Sequence, residues 1–125
     1  MLATKDATAT VAVKDIENAR KFYGGTLGLE PLEVPENEVA AYQAGGTRLL
    51  VYRSPFAGTN RATSVTWNVG DEVDAIVKEL RGKGVRFERY DFPDTVHEGD
   101  VHVMGGMRAA WFKDPEGNIH ALVSQ

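Results

Sequence analysis

Apolar and polar positions follow two periods along the chain, two for strands and about three and a half for helices, and their succession occurs twice. From Thr8 to Lys14 the residues alternate, with Thr8, Thr10 and Ala12 on one side and Ala9, Val11 and Val13 on the other. That is a strand with one apolar face. Asp15 then stands at the N-cap of a helix whose stripe is Ile16, Ala19, Phe22 and Tyr23, with Gly24, Gly25 and Gly28 framing its end. Apolar runs from Leu29 to Val34 and from Val39 to Ala44, separated by the turn-forming Pro35, Glu36 and Asn37, predict two short strands. After Gly45 and Gly46 a further strand, Thr47 to Arg53, sets Arg48, Leu50 and Tyr52 against Leu49, Val51 and Arg53.

Ser54 to Thr63 holds Pro55, Gly58 and Asn60 without a period and predicts a connector. Beyond it the order restarts. Ser64, Thr66 and Asn68 alternate with Val65, Trp67 and Val69, and Val73, Ile76, Val77 and Leu80 form a helical stripe ending near Gly82 or Gly84. Val85 to Tyr90 predicts the next strand. Pro93 to Gly106 is a long polar stretch with His97, Glu98, Asp100 and His102, expected to be a loop that serves as a lid or binding segment. Met107 to Lys113 and Ile119 to Ser124 predict the last strands, joined by the turn Asp114-Pro115-Glu116-Gly117-Asn118.

The repetition reaches the residues: Val13-Lys-Asp-Ile-Glu-Asn-Ala19 stands beside Val69-Gly-Asp-Glu-Val-Asp-Ala75, the second with one residue inserted. The expectation is an α+β fold, residues 1–125 as one domain, with module one at about 7–53, a connector at 54–63 and module two at about 64–125. Eight strands and two helices should give curled mixed sheets around a cavity, with the helices outside. The first strand of each module carries a small, hydroxyl-bearing face opposite its bulky one, which suits a ligand cavity.

Composition removes several classes of function. The chain has 125 residues and no cysteine, so thiolate metal sites, cysteine nucleophiles and disulfides are excluded. Eighteen acidic against fourteen basic residues give a net charge of −4, which speaks against a nucleic-acid partner. No signal-like run opens the chain, and no segment approaches the roughly 20 apolar residues of a membrane span, so a cytoplasmic protein without a membrane partner is expected.

Four stretches together resemble the vicinal oxygen chelate superfamily of glyoxalases, bleomycin- and fosfomycin-resistance proteins and extradiol dioxygenases. They are Val11 to Tyr23 running into Leu27-Gly28-Leu29, Val73 to Leu80 running into Gly84-Val85, Ala110-Trp111-Phe112, and Asp114 to Asn118. The resemblance implies two βαβββ modules, commonly assembled as a homodimer, and in enzymatic members a divalent metal held by His, Gln or Glu. It places the usual first ligand, seven residues before the aspartate that caps the first helix, on Thr8. The second falls on Ser64, or on Val65, and the final glutamate on Ala121. None of these is a competent N/O ligand, so no metal or other cofactor is expected.

The leading expectation is therefore a small-molecule-binding protein of this fold, with a drug or metabolite as ligand. Its ligand-binding residues would be Thr8, Thr10, Arg48, Tyr52, Ser64, Thr66, Asn68 and Ala121. Against it stands a lyase, isomerase or dioxygenase-like enzyme with an atypical metal site or metal-free acid/base chemistry, for which His97, His102 and Tyr52 are the catalytic candidates. A third reading is an interaction protein with a relic pocket. His120, next to Ala121, is expected to point outward near a sheet edge unless a bulge reverses its direction. Of Trp111 and Phe112, one should face the core and the other the cavity or an interface.

Overall fold

The alternating apolar faces become strands that each cover a helix, and the two repeats become two separate units, 1–57 and 58–125. The computed structural model describes residues 1–34 and 37–124. Pro35 and Glu36, expected in the first inter-strand turn, lie outside the described residues.

In the first unit β1 (Ala9–Val13) leads into α1 (Ile16–Arg20), followed by β2 (Glu30–Leu32), β3 (Val39–Ala44) and β4 (Thr47–Arg53). The sheet runs β1-β4-β3-β2, with β1 parallel to β4 and the other pairs antiparallel. Asp15 caps α1 as expected, its carboxylate accepting the Asn18 N–H at 3.0 Å. The helix does not stop at Gly24. It widens, so that Leu27 N–H donates to the Phe22 carbonyl five residues back, and the chain then reverses at Gly28, whose φ is +72°. Val11, Val13, Leu49 and Val51 are buried on the helix side with Ala19, Phe22, Tyr23 and Tyr42.

The second unit begins with β5 (Thr63–Asn68) and α2 (Val73–Gly82). Its inserted residue is absorbed in a 3₁₀ turn, Gly70–Glu72, which replaces a side-chain cap. Next come β6 (Phe87–Glu88), β7 (Val96–Glu98), β8 (Val101–Met104), β9 (Met107–Lys113) and β10 (Ile119–Val123). The sheet runs β5-β10-β9-β8-β7, and β6 flanks the far end of β9. β6 and β8 thus share one edge of β9, one at each end. In this unit β5, α2, β6, β9 and β10 make the βαβββ order, with β7 and β8 as an added hairpin.

That hairpin corrects two expectations. Pro93 to Gly106 is not a loop: Val96, His97 and Glu98 pair with Val103, His102 and Val101 around Gly99. The described residues therefore hold ten strands rather than eight. Alternation was present in Val96-His-Glu and Val101-His-Val-Met, but its polar members are histidines, which disguise a strand whose two faces are both engaged.

Candidate functional site

The face of each sheet opposite its helix gathers most of the residues singled out by sequence. In the first unit, Thr10 lies opposite Leu50 and Ala12 opposite Tyr52, so Thr10, Ala12, Leu50 and Tyr52 share that face, with Arg48 two positions along β4. Tyr52 is 39% exposed, and Thr10 and Arg48 are exposed. Thr8 precedes β1, and its carbonyl accepts the Thr10 hydroxyl at 3.2 Å.

In the second unit, Thr66 lies opposite Ala121 and Ala121 opposite Trp111, while Asn68, Val123, Ala109, His102 and His97 follow one another in the neighbouring row. Thr66, Asn68, Ala121, His97 and His102 are thus brought to one face. Ser64 sits at a register shift: Ile119 faces Thr63 and His120 faces Val65, leaving Ser64 as the extra residue. The two placements weighed for the second ligand, Ser64 and Val65, meet at this bulge.

At the centre of this face sequence reasoning left Trp111 undecided and missed Tyr90 and Phe92. Trp111, Tyr90 and Phe92 form an aromatic cluster, with ring centroids 5.4 Å apart for Tyr90 and Trp111, 5.5 Å for Phe92 and Trp111, and 5.8 Å for Tyr90 and Phe92. His102 stands edge-on to Trp111 at 4.8 Å and to His97 at 4.7 Å. The indole N–H of Trp111 donates to the Thr63 hydroxyl at 3.2 Å, and Phe92 remains 43% exposed. Phe112 faces the other way, buried between Trp67, Phe87 and His120, which settles the direction of the pair. Tyr90 and Phe92 carry no signal of this kind because they follow the last paired residue of β6, where alternation no longer reports a face.

The two histidines are fixed by the backbone of one residue. His102 Nε2 accepts the Tyr90 backbone N–H at 2.9 Å, and His97 Nε2 contacts the Tyr90 carbonyl at 2.9 Å and must donate to it. His102 therefore carries its proton on buried Nδ1, with the backbone carbonyls of Asp100 and Ala109 near its ring, and His97, when neutral, keeps a lone pair on Nδ1. Burial, reinforced by His97, pulls the His102 pKa below the usual histidine value.

His120 departs from expectation: it is fully buried, on the helix side, edge-on to Trp67 at 5.6 Å. Its direction follows the unbroken ladder with β9, in which it lies opposite the core-facing Phe112, and burial pushes its pKa down to about 4 against the opposing charge of Asp114. It takes no part in the face that carries Ala121.

Among the described residues no three His, Asp or Glu side chains converge on one point, and the positions matching the family ligands offer an exposed threonine, a serine at a bulge and a buried methyl group. Two grooves lie elsewhere. One of about 400 Å³ in the first unit is bordered by Lys14, Glu38, Arg53 and Ser54. The other, of about 420 Å³, separates α2 from the β7–β8 hairpin, where Arg108 holds Asp74 at 2.7 Å and Glu98 at 2.8 Å, and Arg81 reaches Asp100 at 3.3 Å. These ion pairs tie the hairpin to the helix.

With this geometry in view, the model of the Glyoxalase/Bleomycin resistance protein/Dioxygenase superfamily matches residues 6–122. The chain belongs to that superfamily. No curated protein sequence matches it significantly. Among solved structures, a glyoxalase/bleomycin resistance protein from Streptomyces sp. CB03234 is 26% identical with a TM-score of 0.66, over 94% of this chain and 98% of that one. Lactoylglutathione lyase from Agrobacterium tumefaciens is 16% identical, TM-score 0.71, over 98% and 95%. The fosfomycin resistance protein FosX from Listeria monocytogenes, in complex with Mn(II) and sulfate, is 16% identical, TM-score 0.72, over 98% and 90%. At such identities the last two share the fold with this superfamily member. Among the described residues no helix is long and apolar enough to cross a membrane.

Proposed function

We propose that this superfamily member binds a small organic molecule, a drug or metabolite, on the aromatic face of its second sheet, and does so without a chelated divalent metal. The observation that carries the reading is Ala121. The position matching the family's final glutamate is a buried methyl group lying opposite Thr66 and Trp111, where a carboxylate ligand would have to stand. What surrounds it suits contact with an apolar ring: the Trp111 and Phe92 rings, with Thr66 and Asn68 as exposed hydrogen-bonding groups in the same rows. Thr10, Arg48 and Tyr52 give the first unit a comparable but more polar face. The resistance-protein likeness at 26% identity supports the same class of role.

The test combines metal analysis with ligand screening. Purified protein should carry substoichiometric divalent metal, and Mn(II), Zn(II) or Ni(II) should leave its melting temperature unchanged, whereas members of a panel of aromatic drugs and metabolites should raise it. Trp111→Ala should abolish those shifts. Stoichiometric metal whose removal abolishes ligand binding would overturn the reading.

One observation favours a second reading, a metal-free acid/base enzyme: the Tyr90 carbonyl orients His97 so that Nδ1 is left with a lone pair. Turnover lost in His97→Ala but kept by the binding-competent fold would support it. A homodimer and a cytoplasmic location are proposed on the family resemblance, and sedimentation equilibrium tests the first.

A further inference from the structure

We infer that the segment from Arg89 to Thr95 is a proton-operated strap, closed over the aromatic face while His102 is neutral and released when it is protonated. The segment leaves the sheet after Glu88 and rejoins it at Val96, so its backbone crosses between two ladders without being part of either. What holds it near its start is the Tyr90 backbone, whose N–H is taken by His102 and whose carbonyl is taken by His97. The rings of Tyr90 and Phe92 ride on the strap and close on Trp111.

The hydrogen bond from Tyr90 N–H requires a lone pair on His102 Nε2. A proton there turns acceptor into donor, so that two N–H groups face each other at 2.9 Å, and the bond becomes a repulsion. The surroundings make that change consequential. Arg89 from the strap adds positive charge near the ring, His97 from β7 lies edge-on to it at 4.7 Å, and the backbone carbonyls of Asp100 and Ala109 pull the other way. The Tyr90 phenol stays protonated because burial raises its pKa, and Trp111 from β9 is uncharged. Arg108 of β9 lies on the helix side, held with Glu98 of β7 and Asp74 of α2, and Asp100 is held by Arg81. Asp91 and Asp94, the carboxylates of the strap itself, are exposed to solvent. His102 is fully buried, so an imidazolium there is relieved by water only if the strap opens. The inference concerns the strap alone and stands whatever ligand the face takes.

The experiment follows the full chain by NMR as pH is lowered from about 7.5 to about 4.5, reading the ring nitrogens of His102 and hydrogen exchange at the Tyr90 amide. His102 should be the Nδ1–H tautomer at the upper pH. Below the usual histidine pKa, exchange at Tyr90, corrected for its intrinsic pH dependence, should rise by about tenfold per pH unit until His102 is fully protonated, as one linked proton demands. Amides of β9 and β10 should keep their protection over the early part of this change, which separates strap release from a global effect of His120. His102→Gln, which keeps an acceptor and cannot titrate, should flatten the Tyr90 profile. A proton on Nε2 at the upper pH, a Tyr90 amide indifferent to His102 titration, or an unchanged profile in His102→Gln each overturns the inference. The first two readings need only the unaltered protein.

Discussion

His102 accepts the backbone N–H of Tyr90, twelve residues earlier in the chain, through a ring nitrogen 2.9 Å away. A side chain thereby does the work of a missing strand partner, since Tyr90 lies beyond the last ladder pair of β6. It also joins the added hairpin to the connection that precedes it, and so assembles the aromatic face from segments that are separate in sequence.

Acid sensitivity should come chiefly from the two buried histidines. The pKa of His120 lies near 4 when folded, against 6.5 when exposed, so its contribution is fully present above about pH 6.5 and is lost as the pH falls toward 4. The loss from this group amounts to roughly 3 kcal/mol at most. Urea midpoints at about pH 7.5 and about pH 4.5 should differ by less in His120→Leu than in the unaltered protein, with a remainder from His102, whose shift has the same sign.

Asp114 anchors the last turn. Its buried carboxylate accepts N–H groups of Glu116 at 2.9 Å and Asn118 at 2.8 Å on one oxygen, and the Asn118 side-chain amide at 2.8 Å on the other. Asp114→Ala should cost about 2–4 kcal/mol, because buried donors lose a charged acceptor. Chemical denaturation checks this, and a loss under ~0.5 kcal/mol contradicts it.

Gly58 has φ of +75°, and a Cβ there would overlap the Glu116 carbonyl oxygen. Gly58→Ala therefore combines left-handed strain with a backbone clash and should destabilise by at least about 2 kcal/mol. Gly99→Ala, with φ of +64° and open space around it, meets the strain without the clash and should cost about 1 kcal/mol. Thermal midpoints of the two variants give the order.

Phe112 and Trp111 are neighbours that face opposite ways. Phe112→Ala should cost about 3–5 kcal/mol, for it empties the space among Trp67, Phe87 and His120. Trp111→Ala should be milder in stability and decisive for ligand binding, since its ring is only half-buried. Equal destabilisation with retained binding would contradict the assignment of faces.

The sequence by itself determined the frame. Period-two alternation placed Val11, Val13, Leu49 and Val51 on a buried face and Thr10, Arg48 and Tyr52 on the other, and the doubled Val13 and Val69 stretches exposed the repeat, because periodicity and local capping are properties of neighbouring residues. The tertiary structure alone decided the rest. Whether the side of β10 opposite Ala121 meets core or solvent depends on what covers it, and His120 is buried there because Phe112 and Trp67, from β9 and β5, pack around its ring. The conversion of a polar stretch into β7 and β8 depends on a partner edge on β9, and the meeting of Tyr90, Phe92, His97, His102 and Trp111 depends on that hairpin. Local propensity reads a residue's own neighbours, whereas these contacts join distant segments, and only folding brings their groups within hydrogen-bond distance.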